Sequence, residues 1–146
     1  MIETVREWLA DVAALGGRIE PAGKMSDAIA RNALAAAGTS CFVLALGLRG
    51  GAADAAAGLF RQDITEMLGL VLVMRAAGDV TGGRSADPLR DLRNAIIARI
   101  AGKEAPSDWG GETIGVFRLS RGELLSMNAG TLIYQLDFAI DDQLRI

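Results

Sequence analysis

The stretch RQDITEMLGLVLVMRAAG, Arg61 to Gly78, limits what this chain can fold into more than any other. Its first half alternates polar and apolar residues, and from Met67 to Met74 it is apolar on both parities apart from Gly69. Alternation is the pattern of a strand with one buried face, and a run apolar on both parities is that of a strand covered on two. A chain of 146 residues, read as one domain over 1–146, has few layers with which to cover a second face. The expected cover is a neighbouring copy or a neighbouring part of a larger assembly, with a loop of the same chain as the alternative, and this points away from an enzyme, because an uncovered patch of this kind marks an interaction site.

The remaining elements follow from periodicity and punctuation. Ile2, Val5, Trp8, Leu9, Val12 and Leu15 recur at spacings of three and four, one face of a helix that Gly16-Gly17 ends. Ser26 and Asp27 read as caps of a second helix, with Ile29, Ala33, Leu34 and Ala37 inward and Gly38 at its end. Cys41 to Leu48 is a short buried strand, and RGGAADAAAG after it reads as a small-residue loop with a helical turn through 54–57. AAGDVTGGRSADP is a second flexible connection.

DPLRDLRNAIIARIAG is the clearest helix, with Asp87 as N-cap, Pro88 at the first position, an apolar stripe from Leu89 to Ile100, and Gly102 as the stop. The end of the chain predicts a meander: Thr113–Leu119, a turn at Arg121-Gly122, Leu124–Met127, a turn at Asn128-Ala129-Gly130, and a last strand TLIYQLDFAID. In that strand Leu132, Tyr134, Leu136, Phe138 and Ile140 share one face, and Thr131, Gln135, Asp137 and Asp141 the other. The fold class is therefore α+β, a largely antiparallel (mixed) sheet of about five strands with helices packed on one face.

Composition excludes several kinds of chemistry. One Cys and no His rule out an intrachain disulfide, a zinc site of the usual ligands, and a Ser-His or Cys-His catalytic pair. A net charge of −3 argues against a general nucleic-acid binder. No apolar run reaches the roughly 18–20 residues of a membrane span, and Glu3, Glu7 and Asp11 are unlike a secretory leader, so synthesis in the cytoplasm is expected. Thirteen Arg against two Lys, with abundant Ala and Gly, point to a high-GC bacterial source. Residues 61–103 hold seven basic against five acidic residues and 104–146 three against seven, which is surface variation or charge-complementary faces between copies.

The motifs are weak. GRIEPAGKMS has five residues between its glycines and Met25 after Lys24, so it fails as a phosphate loop. LRGGAADAAAG lacks a dinucleotide fingerprint, though its small residues allow close contact with another chain. Asp137, Asp141 and Asp142 read as a solvated face and a frayed tail rather than a metal or acid–base site. Arg84, Arg90, Arg93 and Arg99 read as a helix surface, with a basic stripe as the alternative. Cys41 reads as core, and Trp109 as a lid on the core rather than a binding anchor. No nucleophile, base and electrophilic stabiliser come together, so an enzyme is not expected.

Taken in order, several segments resemble the tail terminator, or tail completion, proteins of tailed phages, including minor tail protein U of lambda-like phages. These are the N-terminal helix, GTSCFVLALG, the small-residue loop into FRQDITEMLGLVLVMRAAG, DPLRDLRNAIIARIAG, a Trp soon after it, and GTLIYQLDFAID. Ser40, where such proteins often have Pro, and KEAPSD between Gly102 and Trp109 depart from the pattern. A contractile tail, a non-contractile tail and a phage-like gene transfer agent all stay open.

The resemblance implies a structural virion protein, assembled in the bacterial host cytoplasm, forming a ring, usually hexameric, on the head-proximal end of the tail tube. Its partners would be itself, the tail tube protein and a head-completion or neck protein. DNA would pass through its lumen without specific recognition, and no cofactor, metal or membrane would be involved. Candidate inter-subunit or tube contacts are Arg49, Asp54, Leu59 and Phe60 around the first loop, and Met67, Val71 and Val73 on the long strand. Arg84 and Trp109 complete them. The alternatives are a head-completion or neck connector, and a soluble α+β domain that dimerises through its sheet and binds a ligand or hydrolyses with carboxylates.

Overall fold

The structure is a computed structural model that describes residues 1–30, 38–56, 58–75, 86–109, 113–128 and 130–146, with the side chains of 28–30, 56 and 86 left out. Its elements are α1 (Ile2–Leu9), β1 (Ile19–Pro21), α2 (Ala22–Ala30), β2 (Thr39–Ala56), β3 (Leu59–Arg75), α3 (Ala86–Ile100), β4 (Arg118–Asn128) and β5 (Thr131–Arg145). They build one five-stranded sheet in the order β1-β2-β3-β5-β4. Only β1 and β2 pair in parallel; the other three pairs are antiparallel. This is the α+β mixed sheet that the sequence predicts.

The inner face of the sheet holds the main core. Cys41 and Val43 of β2, Leu68, Leu70 and Leu72 of β3, and Leu136, Phe138 and Ile140 of β5 meet Val5 and Leu9 of α1 and Leu92, Ile96 and Ile100 of α3. Each such side chain taken from water contributes on the order of 1.5–3 kcal/mol. Trp8 closes the edge of this core, standing edge-on to Phe117 with ring centroids 6.1 Å apart and with Lys103 Nζ 4.7 Å over its ring. The β5 alternation read from the sequence therefore packs as expected.

The apolar half of β3 finds its second cover within the chain, which corrects the expectation that a neighbouring copy or assembly covers it. On the outer face Phe42, Val71 and Val73 are buried together, and Met25 of α2, Leu44 and Ile133 pack against them. The helices consequently divide: α1 and α3 lie on the inner face, and α2 reaches the outer face through Met25. Val73 is fully buried and Val71 nearly so. Neither has surface to offer a partner, which corrects their reading as contact residues.

Several boundaries differ from expectation. The first helix stops at Leu9; Val12 is extended and a 3-10 turn over Ala13–Leu15 carries Leu15 into the core. Helix α2 starts at Ala22, straight after Pro21, so Ser26 and Asp27 lie inside it and cap nothing. Residues 49–56, expected as a loop with a helical turn, extend β2 instead and pair with β3 as far as Ala56 opposite Leu59. Gly47, at φ +129°, accommodates the bulge that starts this extension.

The predicted meander is a single hairpin. Arg121-Gly122 lies within β4, where Tyr134 Oη stands 2.7 Å from where a Cβ on Gly122 would be. Residues 113–117 form no strand. The Phe117 N–H and C=O bond instead to Lys103 O and Gly102 N at the end of α3, and Thr113 Oγ1 donates to Ala105 O. The expected inward residues Ala33, Leu34 and Ala37, Ala57 and the connection 76–85 lie outside the described residues.

Candidate functional site

Two parts of the sheet are left uncovered. The first is an arm made by the far ends of β2, β3 and β5. Beyond Val43, β2 loses its partner β1 and continues along β3 to Ala56. β5 follows β3 out to Arg61 opposite Arg145, and Phe60 and Ile146 exchange backbone hydrogen bonds of 3.0 and 3.1 Å. Residues 45–55 are all exposed, Leu46 and Leu48 among them. The small residues of RGGAADAA have little intrinsic strand preference, and they are extended here because β3 supplies a ladder beside them.

The second part is β4, the opposite edge. All eleven of its residues are exposed, including Leu119, Leu124, Leu125 and Met127. Among the described residues nothing pairs with its free side. A long exposed edge with apolar side chains is normally blunted by charge, proline or a covering element, because its free backbone groups invite another strand. β4 has bulges after Leu119 and Leu124 and no covering element among the described residues.

The candidate contacts scatter over this geometry. Arg49 and Asp54 lie exposed on the arm, with Leu59 exposed and Phe60 half-buried at its end. Met67 is half-buried on the outer face, next to the bulge at Gly47. Trp109 is 44% exposed and belongs to neither apolar cluster, so it is no lid on the core. Its backbone N–H donates to Ser107 Oγ at 3.0 Å. Trp8 performs the role expected of it. Arg84 lies outside the described residues. Sequence reasoning missed β4 as a surface, because Gly122 reads as a turn and hides a continuous edge.

Several charged groups are matched within the chain. Arg118 pairs with Asp141 at 2.6 Å, and Thr65 Oγ1 donates to the same carboxylate at 2.8 Å. The Arg118 guanidinium, helped by Thr65, holds the Asp141 carboxyl below its usual range. Arg90 pairs with Asp87 and Asp91, and Arg99 with Asp11, so these arginines of α3 make an ordinary helix surface.

Asp142 is no frayed end. It is buried, accepting a hydrogen bond from Ser107 Oγ and another from the Gln143 N–H. Asp137 is also largely buried and accepts from Gln135 Nε2 at 2.7 Å. Beside Asp142, Glu66 has a buried Oε2 with no partner among the described residues. Desolvation, with Asp108 and Asp142 nearby, pushes its carboxyl above the usual range.

No three His, Cys, Asp or Glu among the described residues are arranged to hold a metal ion. Cys41 is buried in the core and its thiol is pushed up to about 12 by that burial, as a structural residue requires. A shallow groove of about 440 Å³ between the 3-10 turn and α3, floored by Val12, Ala13, Ala14 and Leu92, is apolar. No helix among the described residues is long and apolar enough to cross a membrane. What the arrangement provides is contact surface: a protruding arm on one side of the sheet and a bare strand on the other.

The family model described as phage tail terminator protein matches residues 5–146, from the first buried residue of α1 to the end of the chain. No curated protein matches the chain.

Proposed function

The chain belongs to the phage tail terminator protein family, and from that premise as a structural phage-tail protein we propose that its copies form a hexameric ring on the head-proximal end of the tail tube. The ring stops tube polymerisation and offers the surface to which the head is joined. The single observation that carries this reading is the family match over nearly the whole chain. The two unlike open edges of the sheet support it physically. A contact between unlike surfaces is head-to-tail, and it closes into a ring when its rotation divides the circle.

Termination then works by shape. The lower face of the ring binds the last ring of the tube, and the upper face lacks the surface that recruits another. A head-completion or neck protein binds there instead. DNA passes through the lumen unread, which suits a chain of net charge −3. The protein takes no part in covalent chemistry and requires no cofactor.

Deleting the gene from the particle that encodes it and measuring tail length by negative-stain electron microscopy tests the proposal. Overlong, headless tubes of broad length distribution are expected. Tails of normal length that stay detached from heads would move the protein to the head-completion or neck connectors. Normal, competent particles would overturn both roles.

A further inference from the structure

The two open edges belong to one sheet, and their directions are fixed by its topology. β2 runs antiparallel to β3, β3 to β5 and β5 to β4, so the edges at β2 and β4 run in opposite directions. A rotation about an axis lying roughly along the strands preserves those directions. An edge-to-edge contact between successive copies is then antiparallel.

Backbone alternation says which residues turn their N–H and C=O groups outward. The Cys41 N–H donates to Arg18 O, away from β3, and Phe60 of β3 bonds to Ile146 on the β5 side. Carried through the registers, this leaves Ala45, Leu48, Gly50, Ala53 and Ala55 facing out from β2, and an edge contact ends at Ala53 because the residue before β4, Phe117, already bonds to Gly102 and Lys103. On β4 the same reasoning leaves Leu119, Gly122, Leu124 and Met127 facing out. Each edge also carries two bulges. On β2 they fall between Ala45 and Gly47 and between Gly50 and Ala53. On β4 they fall between Leu119 and Arg121 and between Leu124 and Ser126.

One antiparallel register satisfies all of this at once. With Leu48 opposite Leu124, Gly50 meets Gly122, Ala53 meets Leu119 and Ala45 meets Met127, every one an outward residue against an outward residue. The bulges fall opposite each other, so the two edges bend together. On the outer face Arg49 then stands opposite Glu123, and Asp54 opposite Arg118. Leu48 and Leu124, half-exposed in the single chain, cover each other on the inner face. A shift of two residues one way sets Arg49 against Arg121, and a shift either way separates the bulges.

We propose that β2 of one copy pairs with β4 of the next in this register, continuing the sheet from subunit to subunit. This deepens the ring reading above and rests on it. The edges stay free of unwanted strands because their bulges and charges match each other, which gives the exposed Leu124 and Met127 of β4 a purpose that a lone edge strand lacks. Glu123, already accepting from Arg121 of its own chain, gains a second cation in Arg49.

Oxidative cross-linking of the full-length protein tests the register. Arg49 and Glu123 occupy a pair whose backbone groups face away from the contact, where Cβ atoms come closest, within disulfide reach. The Arg49→Cys/Glu123→Cys protein should form a reducible ladder ending in a closed ring on mild oxidation. Either single variant should stop at dimers, and Arg49→Cys/Arg121→Cys, two residues out of register, should give no ladder. Cys41 is buried and does not interfere.

As a second readout, Arg49→Glu should weaken association about fivefold, and Arg49→Glu/Glu123→Arg should restore it. Rings seen by microscopy without the cross-link or the rescue would overturn the edge pairing and leave the ring reading standing. Pairing needs only two copies, so a wild-type chain that stays monomeric up to about 1 mM by light scattering, with no cross-link, also overturns it. In that case tail length after gene deletion still decides the terminator role separately.

Discussion

The two halves of the β2–β3 hairpin share a backbone ladder and differ in almost everything else. Near the helices Cys41, Phe42 and Val43 of β2 and Leu70 to Val73 of β3 are buried, one face under α1 and α3 and the other against Met25. Beyond the bulge at Gly47, residues 48–55 are exposed on both faces and their partners on β3 are mostly polar. One pair of strands therefore carries the stability of the domain at one end and a free edge at the other. The difference teaches that strand length and core size are separate quantities: the hairpin runs well past the main core, and its far half is the part the proposed edge pairing uses.

The sharpest way to break that comparison is to remove a side chain from the near half. Leu70→Ala should cost about 2–5 kcal/mol of folding stability in denaturant titration, because Leu70 is fully buried between β2, β5 and the helices. A smaller loss, about 1–3 kcal/mol, is expected for Val73→Ala on the outer face. A negligible effect there would mean that the chain does not cover its own outer face, and would return that patch to a partner. Leu48→Asp on the far half should change stability by no more than about 0.5 kcal/mol while abolishing association at micromolar protein.

Two carboxylates give the smallest effects and opposite signs. Asp141 has a lowered pKa, so it adds stability above its unfolded value of 3.8 that is lost as pH falls below it. Its side chain is 45% exposed, and with solvent screening Asp141→Asn should cost below about 1 kcal/mol at neutral pH. Glu66 has a raised pKa, so the folded state loses stability as pH rises from 4.5 towards that raised value. Glu66→Gln should flatten the stability curve on that side, and an unchanged pH profile measured by thermal unfolding would contradict the burial of its Oε2.

How much of this was legible in the sequence follows from where periodicity is strong. The stripe from Leu89 to Ile100 and the alternation from Leu132 to Ile140 are long, and both elements form with the faces predicted. Residues 49–56 escaped because Gly and Ala carry no strand signal of their own; only the register with β3 makes them a strand. β1 escaped because three residues give no period. Gly122 looked like a turn, and only the structure shows Tyr134 lying over it from the neighbouring strand. The outer-face cover from Met25 is a tertiary contact between segments far apart in sequence, which no local pattern records.

The free half of the hairpin, together with β4, was legible only in part. The sequence marks Arg49 and Asp54 as contacts, but nothing in it connects them with Glu123 and Arg118. That connection needs the bulge positions on both strands.

Tail-tube length in cells making the Leu48→Asp protein in place of the wild type tests the central claim most directly, once its unfolding midpoint is shown to match the wild type. If the free edge of the arm assembles the cap, the protein accumulates folded and the tubes are overlong and headless, as in the deletion. Tubes of normal length attached to heads would contradict the account, because the domain would then be terminating the tail without the edge on which its assembly is argued to depend.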